Sequence, residues 1–190
     1  MRITGGKAAG VQLQVPRKGP EVRPATDRMR EAIFSSLGPA IENGRVLDLF
    51  AGTGAYGLEA LSRGAKEAVW IESARSTAAL LEKNRKEVEK SIGHRVSGRL
   101  LVRDIRRHGM RAGDRFDFIF ADPPYHMAEV MLPEVFILAG QHLEDSEGSR
   151  LMIEAPGNLP LVHPQWEEIR RFGGDKSGPS LRVLIRKSSL

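Results

Sequence analysis

Apolar and polar positions follow two different periods along this chain, and the change of period marks its organisation. Near the start, RIT (2–4) and VQLQV (11–15) alternate around glycines, the pattern of a small β-hairpin. Residues 16–25, PRKGPEVRPA, are rich in proline and charge and read as a loop. Thr26 then caps a helix with Asp27 in its first turn. Met29, Ile33 and Leu37 form its apolar stripe, and Gly38-Pro39 ends it.

From Arg45 onward, short apolar runs alternate with longer segments of helical spacing. RVLDLF (45–50) ends at glycines and reads as a buried strand, followed by a helix over about 55–62 that Gly64 closes. EAVWIE (67–72) predicts a second strand, and a long helix with a polar face runs on to about Lys90. RLLVR (99–103) and FDFIFA (116–121) predict a third and a fourth strand, the latter stopping at Asp122-Pro123-Pro124. A helix over about 128–140 precedes a fifth strand in SRLMIE (149–154). WEEIRRF (166–172) and SLRVLIR (180–186) close the chain as an antiparallel pair. Strands separated by helices predict an α/β fold with a doubly wound, mainly parallel sheet. The chain divides into a basic arm, 1–25, and one domain, 26–190.

Composition changes this picture little. No run approaches the roughly 20 apolar residues of a membrane span, and MRITGGKAAG lacks the apolar core of a signal peptide. With no cysteine there is neither a disulfide nor a thiolate metal site, and the five histidines show no metal-ligand spacing, so a cytoplasmic protein without bound metal is expected. Charge adds more. Residues 1–30 hold seven basic residues (Arg2, Lys7, Arg17, Lys18, Arg23, Arg28, Arg30) and two acids (Glu21, Asp27), which matches the whole chain's +5. A basic segment on a neutral body is either an arm for a polyanion or a solvated tail.

Two segments carry chemistry. In DLFAGTGAYG (48–57), Gly52, Gly54 and Gly57 spell G-x-G-x-x-G at a strand-to-helix junction, where bare backbone and helix amides can meet a ligand. That spacing alone admits NAD as well as other adenosine cofactors. Asp48, inside the strand, would repel a pyrophosphate but suits the ammonium of a methionine moiety, which favours S-adenosylmethionine. Glu72 ends the second strand, where a carboxylate accepts both ribose hydroxyls. Asp104 follows the third strand and suits either a hydrogen bond from the cofactor adenine or the N-cap of a helix.

The other segment is Asp122-Pro123-Pro124-Tyr125, after the fourth strand. Two prolines fix the backbone and leave rigid carbonyls. The Asp122 carboxylate and the Pro123 carbonyl can accept the hydrogens of a planar amine while Tyr125 stacks on its ring. Accepting both hydrogens frees the nitrogen lone pair, which is otherwise delocalised into the base. Such a base must be unstacked to arrive there. A proline-terminated turn capped by Asp122 is the plainer alternative, and the conjunction with the glycine loop favours catalysis.

Taken together, VLDLFAGTG, EALSRGA, a strand ending in Glu72 and ADPPY resemble the RsmD family of ribosomal RNA guanine-N2 methyltransferases. The opening MRITGGKAAG and RPATDRMREAIFSSL are similar to the N-terminal signature of that family, so the resemblance runs from Arg2 to about Ile185. It implies a seven-stranded, Rossmann-like class I S-adenosylmethionine-dependent methyltransferase sheet behind an N-terminal β-hairpin. The implied substrate is small-subunit ribosomal RNA within an assembled or assembling subunit, met by a monomer. By matching position, Asp48, Gly52 and Gly54 would hold the methionine part, Glu72 the ribose and Asp104 the adenine, with Phe50 also among the cofactor-binding residues. Asp122, Pro123 and Tyr125 would meet the base, and Arg17, Lys18, Arg23, Arg28 and Arg30 the RNA. Two positions depart from the pattern: Tyr56 stands for a smaller aliphatic residue, and Phe172-Gly173 for a closing Tyr-Gly. The alternatives are adenine-N6 methylation of DNA or RNA, an NAD-dependent oxidoreductase, and an RNA-binding module with an inactive site.

Overall fold

The computed structural model describes residues 1–16, 24–174 and 178–187. Seven strands form one sheet in the order β3-β2-β1-β4-β5-β7-β6. They are β1 (Arg45–Leu49), β2 (Glu67–Glu72), β3 (Gly98–Val102), β4 (Phe118–Ala121), β5 (Arg150–Pro156), β6 (Trp166–Gly173) and β7 (Pro179–Arg186). The first five in sequence pair in parallel. β7 then runs antiparallel between β5 and β6, so the closing hairpin inserts its second strand inward. The central strands β1 and β4 are buried on both faces, which explains why they are largely apolar without alternation.

Helices cover both faces: α1 (Pro24–Leu37), α2 (Ala55–Ser62), α3 (Arg75–Ile92) and α4 (Ala128–His142). α1 begins two residues before the expected cap, so Thr26 lies inside its first turn. Pro24 suits that opening position because it has no N–H to leave unpaired. On one face Ile33, Phe34, Leu58, Leu81 and Trp70 surround Phe120, whose ring stacks with Phe34 at 5.3 Å and with Tyr56 at 4.9 Å between centroids. On the other, Met131, Val135 and Phe136 of α4 lie against Leu47, Ile119 and Leu151. Among the described residues, no helix is long and apolar enough to cross a membrane.

The N-terminal hairpin is sketched rather than built. Residues 1–16 make one antiparallel bridge, Arg2 with Gln12, and a few backbone bonds such as Ile3 N–H to the Val11 carbonyl. Most of what holds this segment lies outside it. Ile3, Ala8 and Leu13 are buried in the core of the sheet's first face. The Lys7 and Ala8 amides donate to Ser62 at the end of α2, and Gln14 exchanges two bonds with Asn84 of α3.

The strongest tie is Glu59 of α2, which is fully buried. Its carboxylate accepts from the Thr4 amide and hydroxyl, both at 2.7 Å, from Arg63 at 2.8 Å and from Arg30 at 3.4 Å. Arg30, itself buried, continues to Asp27 at 2.9 Å and to the Arg2 carbonyl. A buried ion network of this kind is costly to break from one side, because the remaining charge loses its partner. Glu59→Ala is therefore expected to lower unfolding stability by about 3 kcal/mol or more. Chemical denaturation checks this, and a loss below about 1 kcal/mol would show that Asp27 alone suffices for Arg30.

Candidate active site

Register places the functional positions in one row. Leu49 pairs with both Ile71 and Ala121, and Ala121 pairs with Ile153. The next residue on each strand, namely Glu72, Phe50, Asp122 and Glu154, therefore lies at the same C-terminal edge. β1 and β4 are sheet neighbours whose connections leave to opposite sides, the place where open α/β sheets form a crevice.

Between β1 and α2 the backbone turns sharply. Phe50, Gly52 and Gly54 all have positive φ, at 61°, 56° and 90°. A side chain at Gly54 would put its Cβ 2.8 Å from Leu81 Cγ, so glycine is required twice over. At Gly57 a Cβ would fall 2.1 Å from the Trp70 indole nitrogen, which shows how closely α2 lies on β2. Asp48 supports this turn from beneath: its Oδ2 accepts the Gly57 amide at 3.0 Å, and the residue is 1% exposed. Burial, with the nearby Glu72 charge, pushes its pKa up to about 7.

Above the turn lies a cavity of about 830 Å³. Ala51, Gly52 and Thr53 give it a backbone wall, and Glu72, Ser73 and Thr77 flank them. Glu72 accepts the Gly52 amide at 2.9 Å and the Ala74 amide at 2.6 Å, so its carboxylate is held at the cavity edge. Asp104 and Ile105 line one end. Asp104 caps the 3-10 turn Ile105–Arg107 through the Arg106 amide and also binds the Arg106 guanidinium, which holds its pKa down to about 2. Among the described residues, four carboxylates line this space (Glu72, Asp104, Asp122, Glu154) against two arginines, Arg30 and Arg103. Such a lining disfavours a pyrophosphate and suits a cationic ligand. Glycine-loop backbone, an acid fixed at the cavity edge and negative charge among the described lining fit S-adenosylmethionine.

Asp122, Pro123, Pro124 and Tyr125 line the cavity with Tyr56 and Glu154. The Asp122 amide bonds back to the Leu49 carbonyl at 3.5 Å, tying this turn to the glycine loop. A 3-10 turn, Tyr125–Met127, then leads into α4 and leaves the Tyr125 ring 40% exposed. Glu154 is 3% exposed and accepts the Tyr56 hydroxyl at 2.9 Å, with a second hydrogen bond from Tyr125. Burial pushes the carboxyls of both Asp122 and Glu154 above the ordinary range, and the nearby Glu154 and Asp48 charges raise Asp122 further. The same burial and the Glu154 charge raise Tyr56, so its phenol keeps its proton.

The expected site residues separate into three groups. Phe50, Gly52, Glu72, Asp104, Asp122, Pro123 and Tyr125 share the cavity wall. Asp48 and Gly54 lie behind that wall and shape it. Arg30, expected on RNA, is 2% exposed and committed to Asp27, Glu59 and the Arg2 carbonyl, because the arm needs an internal counter-charge. Arg28 is exposed on α1, while Arg17, Lys18 and Arg23 lie outside the described residues. Glu154 escaped the sequence reading because it looked like the polar end of an ordinary strand. Its one signal is register: it follows β5 residue Ile153 just as Asp122 follows Ala121. Met1, Val15 and Pro16 also line the cavity, which no local pattern announced.

Comparison with known proteins identifies the family and the fold. Residues 1–177 match the model of the family described as conserved hypothetical protein 95. The chain is 34% identical over 168 residues to ribosomal RNA small subunit methyltransferase D of Escherichia coli K12, covering 87% of this chain and 81% of that protein. The solved structure of yhhF from Escherichia coli superposes with a TM-score of 0.81 at 30% identity, over 100% of this chain and 99% of the other. That of the hypothetical protein TTHA0928 from Thermus thermophilus gives 0.75 at 32% identity, over 96% and 98%. The fold is that of class I S-adenosylmethionine-dependent methyltransferases, and the chain belongs to the family of ribosomal RNA small subunit methyltransferase D.

Proposed function

We propose that this enzyme transfers a methyl group from S-adenosylmethionine to the exocyclic N2 of a guanine in small-subunit ribosomal RNA. The observation that carries this reading is the meeting of Asp122-Pro123 with the glycine loop across one cavity, level with the ends of β1 and β4. When bound, S-adenosylmethionine supplies an electrophilic methyl group on a sulfonium. Backbone of residues 51–53 would hold its methionine part, Glu72 its ribose hydroxyls and Asp104 the adenine amine. Asp48 contributes indirectly by fixing the Gly57 amide and hence the loop.

The base amine is a poor nucleophile until its lone pair leaves conjugation. Asp122 and the Pro123 carbonyl would each accept one amine hydrogen, which favours a pyramidal nitrogen facing the cofactor. Tyr125, with its ring exposed at the cavity mouth, would stack on the unstacked base. The amine sheds one proton during transfer, and the Asp122–Glu154 pair, raised above the usual carboxylate range, is suited to receive it. Arg17 and Lys18 directly follow the cavity residue Pro16, and Arg23 directly precedes Pro24, the first residue of α1. With exposed Arg28, these cations would meet the RNA backbone.

Methyl transfer from labelled S-adenosylmethionine to small subunits lacking their own modification, followed by nucleoside analysis, should yield N2-methylguanosine. N6-methyladenosine would move the acceptor to adenine. Asp122→Ala should reduce turnover by at least about 100-fold, the scale of losing a preorganised polar contact at the reacting group. Its affinity for S-adenosylmethionine, by calorimetry, should stay within a few-fold. Replacing Arg17, Lys18 and Arg23 with alanine should weaken RNA binding and lower the salt slope by about 2 to 3, and an unchanged slope would make the arm a mere tail.

Asp48 gives a pH prediction. The folded chain keeps its proton up to about pH 7, whereas 3.8 is the ordinary value expected for the unfolded chain. Between these values folding takes up a proton, so Asp48 costs stability as pH rises through that window. Asp48→Asn keeps an acceptor for Gly57 and removes the titration. Its stability relative to the parent should grow by roughly 3 kcal/mol between about pH 5 and pH 8, measured by urea unfolding. A constant difference would show that Asp48 is ionised in the native protein throughout.

A further inference from the structure

Asp122-Pro123 can hold any planar amine, so it does not by itself distinguish guanine from adenine. The two bases differ beside that amine. Guanine presents an N1–H donor next to its 2-amine, whereas adenine presents a bare N1 acceptor next to its 6-amine. A pocket that selects guanine therefore needs a second acceptor adjacent to Asp122.

We propose that Glu154 is this specificity-determining residue, its carboxylate accepting the N1–H of the target guanine while Asp122 and Pro123 hold the 2-amine. The inference rests on the guanine-N2 reading above and deepens it. Glu154 stands one strand over from Asp122 at the same register position, and neighbouring strands lie about 4.8 Å apart. That spacing sets a second carboxyl beside Asp122 on the same cavity wall. Both residues line the same cavity as Tyr125, which would set the plane of the base.

Charge placement agrees with the assignment. Two carboxyls this close and this poorly solvated hold one proton between them in preference to two negative charges. Glu154 is the member that receives phenol donors, from Tyr56 at 2.9 Å and from Tyr125, and hydrogen bonds to a carboxylate stabilise its charged form. The negative charge thus belongs on Glu154, which makes it a pure acceptor. Asp122 in its neutral form still has a carbonyl oxygen for the amine hydrogen. A carboxylate has about four acceptor positions, so two phenols leave room for a base. Tyr56, the residue that departs from the aliphatic pattern in the glycine loop, supplies one of these donors. If Glu154 served only to anchor the two tyrosines, a neutral glutamine would do so without the cost of burying a charge.

The test compares guanine with 2,6-diaminopurine, which keeps the 2-amine but turns N1 into an acceptor. Small subunits are reconstituted with RNA carrying either base at the nucleotide that the parent enzyme methylates. Single-turnover rates are then measured for the parent and for Glu154→Gln. The parent should favour guanine by at least about 100-fold, because a site built around a substrate N–H leaves a buried group unpaired without it. Glu154→Gln, whose amide can donate to N1 of diaminopurine, should narrow that ratio by at least about tenfold. An equal slowing on both bases would overturn the proposal and leave Glu154 as an anchor for Tyr125. A parent ratio within about threefold would overturn it without any variant, so the test survives a Glu154→Gln protein that fails to fold. If the parent's methyl group appears on adenine, the guanine reading itself has failed, a result visible in the nucleoside analysis before any ratio is measured.

Discussion

One buried carboxylate, Glu59, joins three parts of the molecule that would otherwise have little reason to meet. It sits on α2 directly after the glycine loop and takes hydrogen bonds from the arm through Thr4, from α1 through Arg30, and from the end of its own helix through Arg63. Among its described residues the arm makes a single bridge of its own, so its position depends on such contacts. That position matters to the cavity, because Met1, Val15 and Pro16 form part of its wall. Arg30 shows what the arrangement gives up. Its charge is consumed in neutralising the clamp and is lost to the RNA, so the arm's remaining charge must act from elsewhere.

The cavity inverts the usual pattern of a protein interior. Asp48, Glu72, Asp122 and Glu154 all belong to the C-terminal edges of adjacent parallel strands, where burial resists the ionisation of Asp48, Asp122 and Glu154 and neighbouring acids add to it at Asp48 and Asp122. Among the described residues the lining supplies little positive charge in return, since one of its two arginines, Arg30, is already paired with acids. What relieves this imbalance is a ligand that brings positive charge and hydrogen-bond donors. A sulfonium cofactor and a base amine bring both, so the crowded acids and the proposed chemistry explain each other.

Much of the fold was legible in the sequence. The helix over Ala55–Ser62 and the strand Glu67–Glu72 have the boundaries that their apolar periods and terminal glycines predict. The site was legible where chemistry is local, as in the glycine loop and in Asp122-Pro123-Pro124-Tyr125. It was not legible where function depends on which strands become neighbours. Nothing within SRLMIE marks Glu154 as a pocket residue; only the pairing of Ala121 with Ile153 does so. Arg30 failed for the same reason, since a helix pattern shows an arginine but not the Glu59 that a tertiary contact places against it. The arm was legible in part: Ile3 and Leu13 donate across the short hairpin as its alternation suggests, while the Lys7, Ala8 and Gln14 amides find α2 and α3, which no local pattern shows.

Energetics also weigh against a chain that keeps this fold only to bind RNA. Phe50 occupies a left-handed backbone conformation that costs a non-glycine residue about 1–3 kcal/mol. Asp48, with its carboxyl raised to about 7, lowers stability further at neutral pH. Asparagine at 48 and glycine at 50 would remove both costs without disturbing the strand order or the arm. A binding surface gains nothing from either feature, because both are directed at the cavity edge and not at the exposed face of α1. They make sense where the loop must hold one shape against a ligand and where a buried carboxyl fixes that shape through the Gly57 amide. Strain and unfavourable burial gathered at a single edge of the sheet are what a working catalytic site requires, and they leave an inactive module without a physical rationale.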